Sequence, residues 1–473
     1  MMRARLVTGW SHLRSSYWFL PSLMAVLAVV MSFVTTACDL ALGSQWMEDI
    51  SWLYANKPDG ARAVLSTVAG SMITVAGVTF SMTILSISHT TSQIGPRLLN
   101  NFMRDTRNQF TLGIFVSTFL YCLLVLRTVR NAGSIDINAG GHMQEAAAFV
   151  PHIAVLVALL LAITSVGVLI FFVHHIPESI HISNIVANVG RELNTKIEDQ
   201  FPSHLGLPHE DESERDPQAA LPETFYTNAC KLTGVKAGYV EYVDTEGLIA
   251  IATEHDLVIR LRCRAGDFVT PQTELLLVAP ASRIDEQITT QLLATFATGS
   301  QRTSNQNLRF LVNQLVEVAM RALSPGVNDP FTAMNCMDWL QSGLESLANR
   351  KLPDAHRHDD NHNLRIVTEP DTFATFVSLI SDQLRPYAAA DRNAAIHMME
   401  MLAKVAAVTE HAARRRVLII SGSRLRKECL KALSDKSALR MLTDRYRSLI
   451  RLGRDAAYRE QLMESGHWIG GRA

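Results

Sequence analysis

Lysine, arginine, aspartate and glutamate are absent from four long stretches of a chain that otherwise balances 44 basic against 45 acidic residues over 473 positions. The stretches are Ser15 to Cys38, Ala63 to Pro96, Phe110 to Leu126 and Phe149 to Val173. Each reaches the roughly 17 to 25 apolar residues that a helix needs to cross a bilayer. Carriers coupled to protons or sodium ordinarily need an ionisable group inside the membrane, and none lies in the middle of a crossing, which disfavours coupled transport. A net charge of −1 gives no footprint for nucleic acid and none for bulk attraction to acidic lipid, so any basic patch must be local. The six cysteines (Cys38, Cys122, Cys230, Cys263, Cys336, Cys429) are scattered, with no C-x-x-C pair and no metal-ligand spacing. That argues against a disulfide framework and places the soluble part in a reducing cytoplasm. No P-loop, dinucleotide fingerprint, nucleophile–base pair or metalloprotease helix is present, so no cofactor is implied and an enzyme is the weakest class.

What the second stretch has instead of charge is hydroxyls and glycine. Wound as a helix, Thr67, Gly70, Thr74, Gly77, Ser81 and Ser88 fall along one side, because steps of three, four and seven stay in register with the helical repeat. Lipid has no use for such a stripe, which is therefore expected to face another helix or a water-filled path. Small residues at Gly70, Gly77 and Ser81 allow close helix contact without any pore. A lining shared by several copies around an axis is the competing reading.

Around these stretches the chain is punctuated as a membrane protein would be. Tyr17 and Trp18 stand like interfacial anchors on the first crossing. A secretory signal competes there, since Thr35-Thr36-Ala37-Cys38 loosely matches a lipoprotein cleavage box, although the apolar run is long and Thr35 stands where leucine is usual. Gly43 to Gly60 reads as a short amphipathic loop on the far side, Gly95-Pro96 ends the second crossing, and glycines 133, 140 and 141 form a turn before the fourth. Six basic residues (Arg3, Arg5, Arg14, Arg97, Arg104, Arg107) flank one side of the membrane against four on the other (Lys57, Arg62, Arg127, Arg130). This bias puts both termini in the cytoplasm.

The fourth crossing runs out at His174-His175-Ile176-Pro177-Glu178, where Pro177 is expected to break or bend the helix. His174, Glu178 and His181 share a face by spacing, a pattern open to a metal, to pH sensing or to plain solvation. An amphipathic stretch to Gln200 and an acidic, proline-rich linker from Phe201 to Glu223 follow. Short strands then begin at Lys236. In Leu257 to Arg264 the alternation predicts one buried face (Leu257, Ile259, Leu261, Cys263) and one largely cationic face, whose Arg260, Arg262 and Arg264 could contact an anion. This portion looks like half of the barrel-sandwich fold of biotinyl and lipoyl domains, without their modified lysine.

Thr303 to Gln306 fits a capping box for a helix whose apolar side is Leu308, Leu311, Val312, Leu315, Ala319, Ala322 and Leu323. Ser324, Pro325, Gly326, Val327, Asn328, Asp329 and Pro330 then form a helix-to-helix corner. Gly326 supplies a left-handed stop, Asp329 a cap and Pro330 a first helical residue. Beyond it, His356, His358 and His362 with Asp359 and Asp360 read as a solvated loop or a metal tract, and four more helices follow. The cluster Arg414, Arg415, Arg416, Arg424, Arg426 and Lys427 is either a solvated face or a lipid-headgroup contact.

The run from Arg321 to Ala333, with Gly238-Tyr239-Val240 and Gly266-Asp267-Phe268-Val269, resembles a family of bacterial predicted inner-membrane proteins classed as a domain of unknown function. The resemblance spans most of the chain and implies its architecture; it brings no activity and no catalytic residue. The expected fold class is a membrane α-helical bundle of four transmembrane helices followed by a cytoplasmic α+β region, with boundaries at 1–176 (bundle), 177–234 (amphipathic helix and linker), 235–282 (small β barrel-sandwich-like module) and 283–473 (helical domain). In function it reads as a homo-oligomeric, channel-like protein surrounded by membrane lipids, with no nucleic-acid partner and a small ion or a cytoplasmic ligand as candidate partner. A non-transporting sensor or scaffold is the alternative.

Overall fold

The computed structural model describes residues 16–42, 58–95, 106–130, 134–137, 143–146, 149–201, 221, 224–351, 353 and 355–465. Most of the acidic linker, the 43–57 loop and the basic residues Arg3, Arg5, Arg14, Arg97 and Arg104 lie outside them. The chain divides into two units, Ser11–His181 and Ile182–Ala473 with Met1–Trp10.

In the first unit the four uncharged runs become α1 (Phe19–Leu42), α2 (Pro58–Ile94), α3 (Thr106–Leu126) and α4 (His152–Ile180). All four are long and apolar enough to cross a membrane. The innermost is α3, whose Phe115, Tyr121, Cys122 and Val125 are wholly buried among residues of its neighbours, including Leu65, Ala69, Ala154 and Ala158. At Gly113 an added Cβ would lie 2.4 Å from the Met24 sulfur and 3.4 Å from the Pro21 Cα, so α1 and α3 approach closely there and a larger residue would have to displace the Met24 side chain. Glycines 133, 140 and 141 of the expected turn lie outside the described residues, and the segments beside them, Ser134–Ile137 (β1) and Met143–Ala146 (β2), pair antiparallel. Helix α4 does not break at position 177. It continues to Ile180 and stops at His181, whose backbone is extended (φ −61°, ψ 125°).

The second unit opens with α5 (Ile182–Gln200), whose apolar side, including Ile185, Val189 and Leu193, is buried. Gly190 of α5 lets the indole of Trp339 approach: a Cβ there would sit 2.3 Å from the ring. After α6 (Phe225–Asn228) come β3 (Cys230–Thr233), β4 (Gly238–Val243), α7 (Thr245–Glu254), β5 (Val258–Leu261), β6 (Phe268–Val269), β7 (Glu274–Ala279), α8 (Glu286–Leu293) and β8 (Phe296–Gly299). The helical part follows as α9 (Leu308–Ala322), α10 (Pro330–Ala348), a strand pair β9 (His356–His358) and β10 (Leu364–Val367), then α11 (Phe373–Ala388), α12 (Arg392–Val408), α13 (Ala412–Ala432), α14 (Lys436–Arg454) and α15 (Ala456–Ser465).

The strands form two sheets, ordered β3-β7-β5-β10-β9 and β6-β4-β8. They enclose a core of Leu232, Val240, Leu248, Ile259, Leu276, Val278, Leu292 and Ile366. This differs from a self-contained module over 235–282. Strand β8 closes the smaller sheet from beyond 282, and β10 joins β5 in parallel from about a hundred residues downstream. A helix, α7, also interrupts the run of strands, started by Asp244, whose carboxylate accepts from the Gly247 amide at 3.1 Å.

Two local expectations are corrected in position. The cap of α9 is Asn307, whose Oδ1 accepts from Phe310 N at 3.1 Å, and not the 303–306 box. Gln306 is drawn away from helix capping because its amide bonds both the N–H and the C=O of Val243, while the Ser304 hydroxyl donates to Glu192. At the corner, Asp329 caps α10 and Pro330 begins it, as expected. The left-handed residue, however, is Asn328 (φ 52°) and not Gly326, because the turn closes with the amides of Val327 and Asn328 both on Ser324 O.

A buried ion pair fixes the turn between β9 and β10. Burial pushes the Asp359 carboxyl up, but the Arg365 guanidinium at 2.7 Å and donors from Asn363 outweigh it and hold the group at about 2. Asp256 is likewise held below its ordinary value, first by the hydrogen bond from Arg365 and then by Arg283.

Two predictions follow from these contacts. Replacing Asp329 by Ala lowers stability by about 1 kcal/mol, whereas Gly326→Ala raises it by about 0.4–1 kcal/mol, since its backbone is not left-handed, a Cβ there meets nothing within 4 Å and the unfolded chain loses freedom; urea midpoints of the purified full chain separate the two. Since Asp359 is lowered from its unfolded value, its contribution is complete above about pH 4 and is lost as the pH falls towards 2. Unfolding midpoints measured down that range fall steeply in the wild type, and Asp359→Asn flattens the fall while lowering the neutral-pH midpoint.

Candidate functional site

Helix α2 has two faces of different character. Ala61, Leu65, Ala69, Met72, Ala76, Thr79, Thr83 and Ile87 are buried against the rest of the bundle. Thr67, Gly70, Thr74, Gly77, Ser81 and Ser88, the stripe picked out by spacing, are all exposed. At about 100° per residue the stripe is centred roughly 150° from the buried face. Among the described residues of the first unit nothing packs on it at its two glycines: a Cβ on Gly70 or Gly77 would find no atom within 4 Å. Larger apolar side chains border it, Ile73 and Ile84 on one edge and Val78 and Leu85 on the other, all exposed. The result is a shallow groove of small residues between aliphatic ridges. One of its hydroxyls is satisfied within the helix, since Thr74 Oγ1 donates to Gly70 O at 2.8 Å.

The interior of the bundle is more polar than the runs of apolar residues suggest. Asp39 lies one residue past the expected end of the first crossing, yet it falls within α1 and is buried. Its two carboxylate oxygens accept from Ile153 N at 2.8 Å and Ala154 N at 3.0 Å, both in the first turn of α4. Beside it the Tyr121 hydroxyl donates to Ala154 O at 3.1 Å and pairs with Thr35 Oγ1 at 2.9 Å. Deeper, Thr118 and Ser165 bond across α3 and α4 at 3.2 Å. The sequence held one clue to this arrangement. Pro151, at the N-cap of α4, has no capping side chain, so the helix start needed an acceptor from elsewhere.

In the second unit the cationic strand face is already answered by carboxylates. Arg260 is only 3% exposed, because Tyr226 and Glu369 (3.0 Å) both bond it. Arg264 pairs with Asp371 at 2.8 Å, which also takes Arg309, and Arg262 alone of the three is exposed. The expected alternation thus fails at Arg260, where carboxylate pairing lets a cation sit inside. Of the basic cluster on α13, Arg414 and Arg415 are buried. Arg414 donates to the carbonyls of Leu347, Ala348 and Arg350, and Arg415 to those of Thr409 and Glu410. Both guanidiniums cap helix ends, so neither is free for lipid.

Among the described residues no group of three or more His, Cys, Asp and Glu is placed to hold a metal. His174 and Glu178 form an exposed pair at 3.5 Å, and His175 stacks on Phe171. The cysteines are all free, and burial pushes the thiols of Cys263 and Cys429 up to about 12 and about 11. The corner Ser324, Pro325, Gly326, Asn328, Asp329, Pro330 presents Val327 and Phe331 to solvent.

Two uncharacterised mycobacterial proteins, one of Mycobacterium bovis and one of Mycobacterium tuberculosis, are each 31% identical to the chain over 403 residues, covering 84% of it and 72% of their own length. No solved structure matches it significantly. A family model described as "Predicted membrane protein (DUF2254)" matches residues 14–404, a span that includes all four membrane-capable helices, both sheets and the corner. The chain therefore belongs to this family of predicted membrane proteins.

Proposed function

We propose that this protein is an oligomeric, channel-like protein of a bacterial inner membrane, in which copies of α2 surround an uncharged path lined by Thr67, Gly70, Thr74, Gly77, Ser81 and Ser88. The second unit, in the cytoplasm with both termini, assembles or gates it. The observation that carries this reading is that the stripe faces away from its own bundle. A face that is hydroxylated, flanked by aliphatic ridges and uncovered by the described residues of its own bundle is explained by neighbouring copies or by water. Such a lining suits small anions or neutral solutes better than coupled cations. Among the described residues, Arg260 and Arg264 of the cationic strand face are already paired with carboxylates.

A second reading draws on a back-bonded hydroxyl. Because Thr74 already donates to Gly70 O, the groove needs no water, and a dry contact between two copies of α2 would serve a scaffold whose soluble unit binds a partner or ligand.

Flux and accessibility distinguish the two. In proteoliposomes the wild type passes small anions or neutral solutes, and Thr74→Leu with Ser81→Leu reduces that flux by about an order of magnitude, as narrowing a polar constriction in every copy requires. No flux under any ionic condition refutes the channel. In a Cys38→Ser background, Gly77→Cys reacts readily with a membrane-impermeant thiol reagent if the groove lines water. If the contact is dry, it resists the reagent and forms disulfide-linked dimers, because the Cα atoms then lie within about 7 Å.

A further inference from the structure

The smaller sheet carries an amphipathic edge that no role above uses. Strand β6 is its two-residue border, and in the register Tyr239 stands opposite Phe268. The two rings meet edge to face at 5.1 Å, yet Phe268 remains 55% exposed. Val235 is 75% exposed in the turn entering β4. That turn is held against the next one, since Gly234 N donates to Thr273 O at 3.1 Å. Arg302 is fixed on the same edge: its Nε donates to Gly266 O at 3.0 Å and its guanidinium carbon lies 5.0 Å from the centre of the Tyr239 ring. Lys236, next to Val235, is exposed.

The carboxylates near this edge are engaged elsewhere. Asp267 accepts from Arg264 N, Glu274 pairs with Lys231, and Glu241 is buried. Among the described residues neither Lys236 nor Arg302 has an ion-pair partner.

We propose that this edge, Val235, Lys236, Tyr239, Phe268 and Arg302, is a docking surface for an anionic lipid surface. Exposed aromatic and aliphatic groups flanked by cations are the composition that inserts shallowly at a bilayer interface while meeting phosphate headgroups. Self-association fits less well, because a two-fold contact would set the edge against itself with no carboxylate to answer its cations. The covalent tether to four membrane-capable helices raises the local concentration of lipid, so a weak contact suffices.

Hydrogen–deuterium exchange of the full-length protein in nanodiscs tests this. Peptides covering 234–240 and 266–273 exchange about tenfold more slowly in discs containing phosphatidylglycerol than in discs of phosphatidylcholine alone. Lys236→Glu with Arg302→Glu removes the difference, and the exchange of β10 and α11 reports that the variant is folded. Should it not fold, salt gives the same test on the wild type, whose protection in phosphatidylglycerol is lost as ionic strength rises. Equal exchange in both lipids overturns the proposal. Protection that appears in detergent and follows protein concentration also overturns it, in favour of a contact between copies.

Discussion

A bilayer offers no hydrogen-bond partner, and the membrane unit is organised by that constraint. Every polar group that enters the hydrocarbon must be answered by the protein itself. Asp39 is the clearest case: a carboxylate at the end of α1 would be costly alone, and an α4 start without a capping side chain would leave orphan amides. Placed together, each solves the other's problem, and α1 and α4 become linked at that end of the bundle. The Tyr121 hydroxyl extends the same solution to Thr35 and to the Ala154 carbonyl. Thr79 and Thr83 are answered more locally, each donating to a carbonyl of its own helix.

The second unit faces the complementary difficulty, how to keep cations inside. It places them where partial or full negative charge is already concentrated. Arg414 and Arg415 reach the last carbonyls of α10 and α12, where the helix dipole and unpaired C=O groups favour a cation. Arg445 and Glu400 form a pair with both side chains nearly buried. Removing one partner of such a pair leaves an uncompensated charge, which costs more than the pair itself contributes. Asn349 joins the same junction, donating to Val408 O and accepting from Glu410 N, so the end of α10 and the α12–α13 turn are held by side chains and not by packing alone.

The sequence disclosed elements whose signal is local and concealed those whose signal is not. Four uncharged runs gave the membrane helices, and apolar periodicity gave most of the buried side of α9, because composition and spacing decide both. The periodicity missed Val316 and Val318 and added Leu323, which is only half-buried at the C-cap. Asp329 and Pro330 were legible for the same reason. Strand β10 was not, since only the pairing with β5, far away in the chain, makes Leu364–Val367 a strand. Arg260 misled because alternation reports which face a residue occupies, while burial of a charge depends on Glu369, which no local pattern connects to it. Asp39 was missed by one position: a charge at the end of an apolar run looks like the edge of the membrane until its partners on α4 are known. The stripe on α2 was legible as a stripe, but the direction it faces depends on α1, α3 and α4.

That direction narrows what the groove can be. Facing lipid, a row of glycine and small hydroxyls between Ile73, Ile84, Val78 and Leu85 forfeits dispersion contacts along its length, because acyl chains fill so narrow a furrow poorly. A neighbouring helix recovers those contacts by letting backbones approach. Water recovers something else, the unused hydrogen-bonding capacity of hydroxyl oxygens that have given their one proton to a carbonyl, as Thr74 has. With its proton engaged, such an oxygen turns acceptor lone pairs outward, so a path lined by back-bonded hydroxyls receives donors more readily than acceptors. Glycine 70 and 77 leave gaps between these oxygens where no side chain intervenes. For a lining built this way, a solute carrying its own N–H or O–H groups, or water accompanying an ion, is a better match than a bare anion. Within the proposed permeation reading, the Thr74 hydroxyl thus favours a neutral solute over a bare anion.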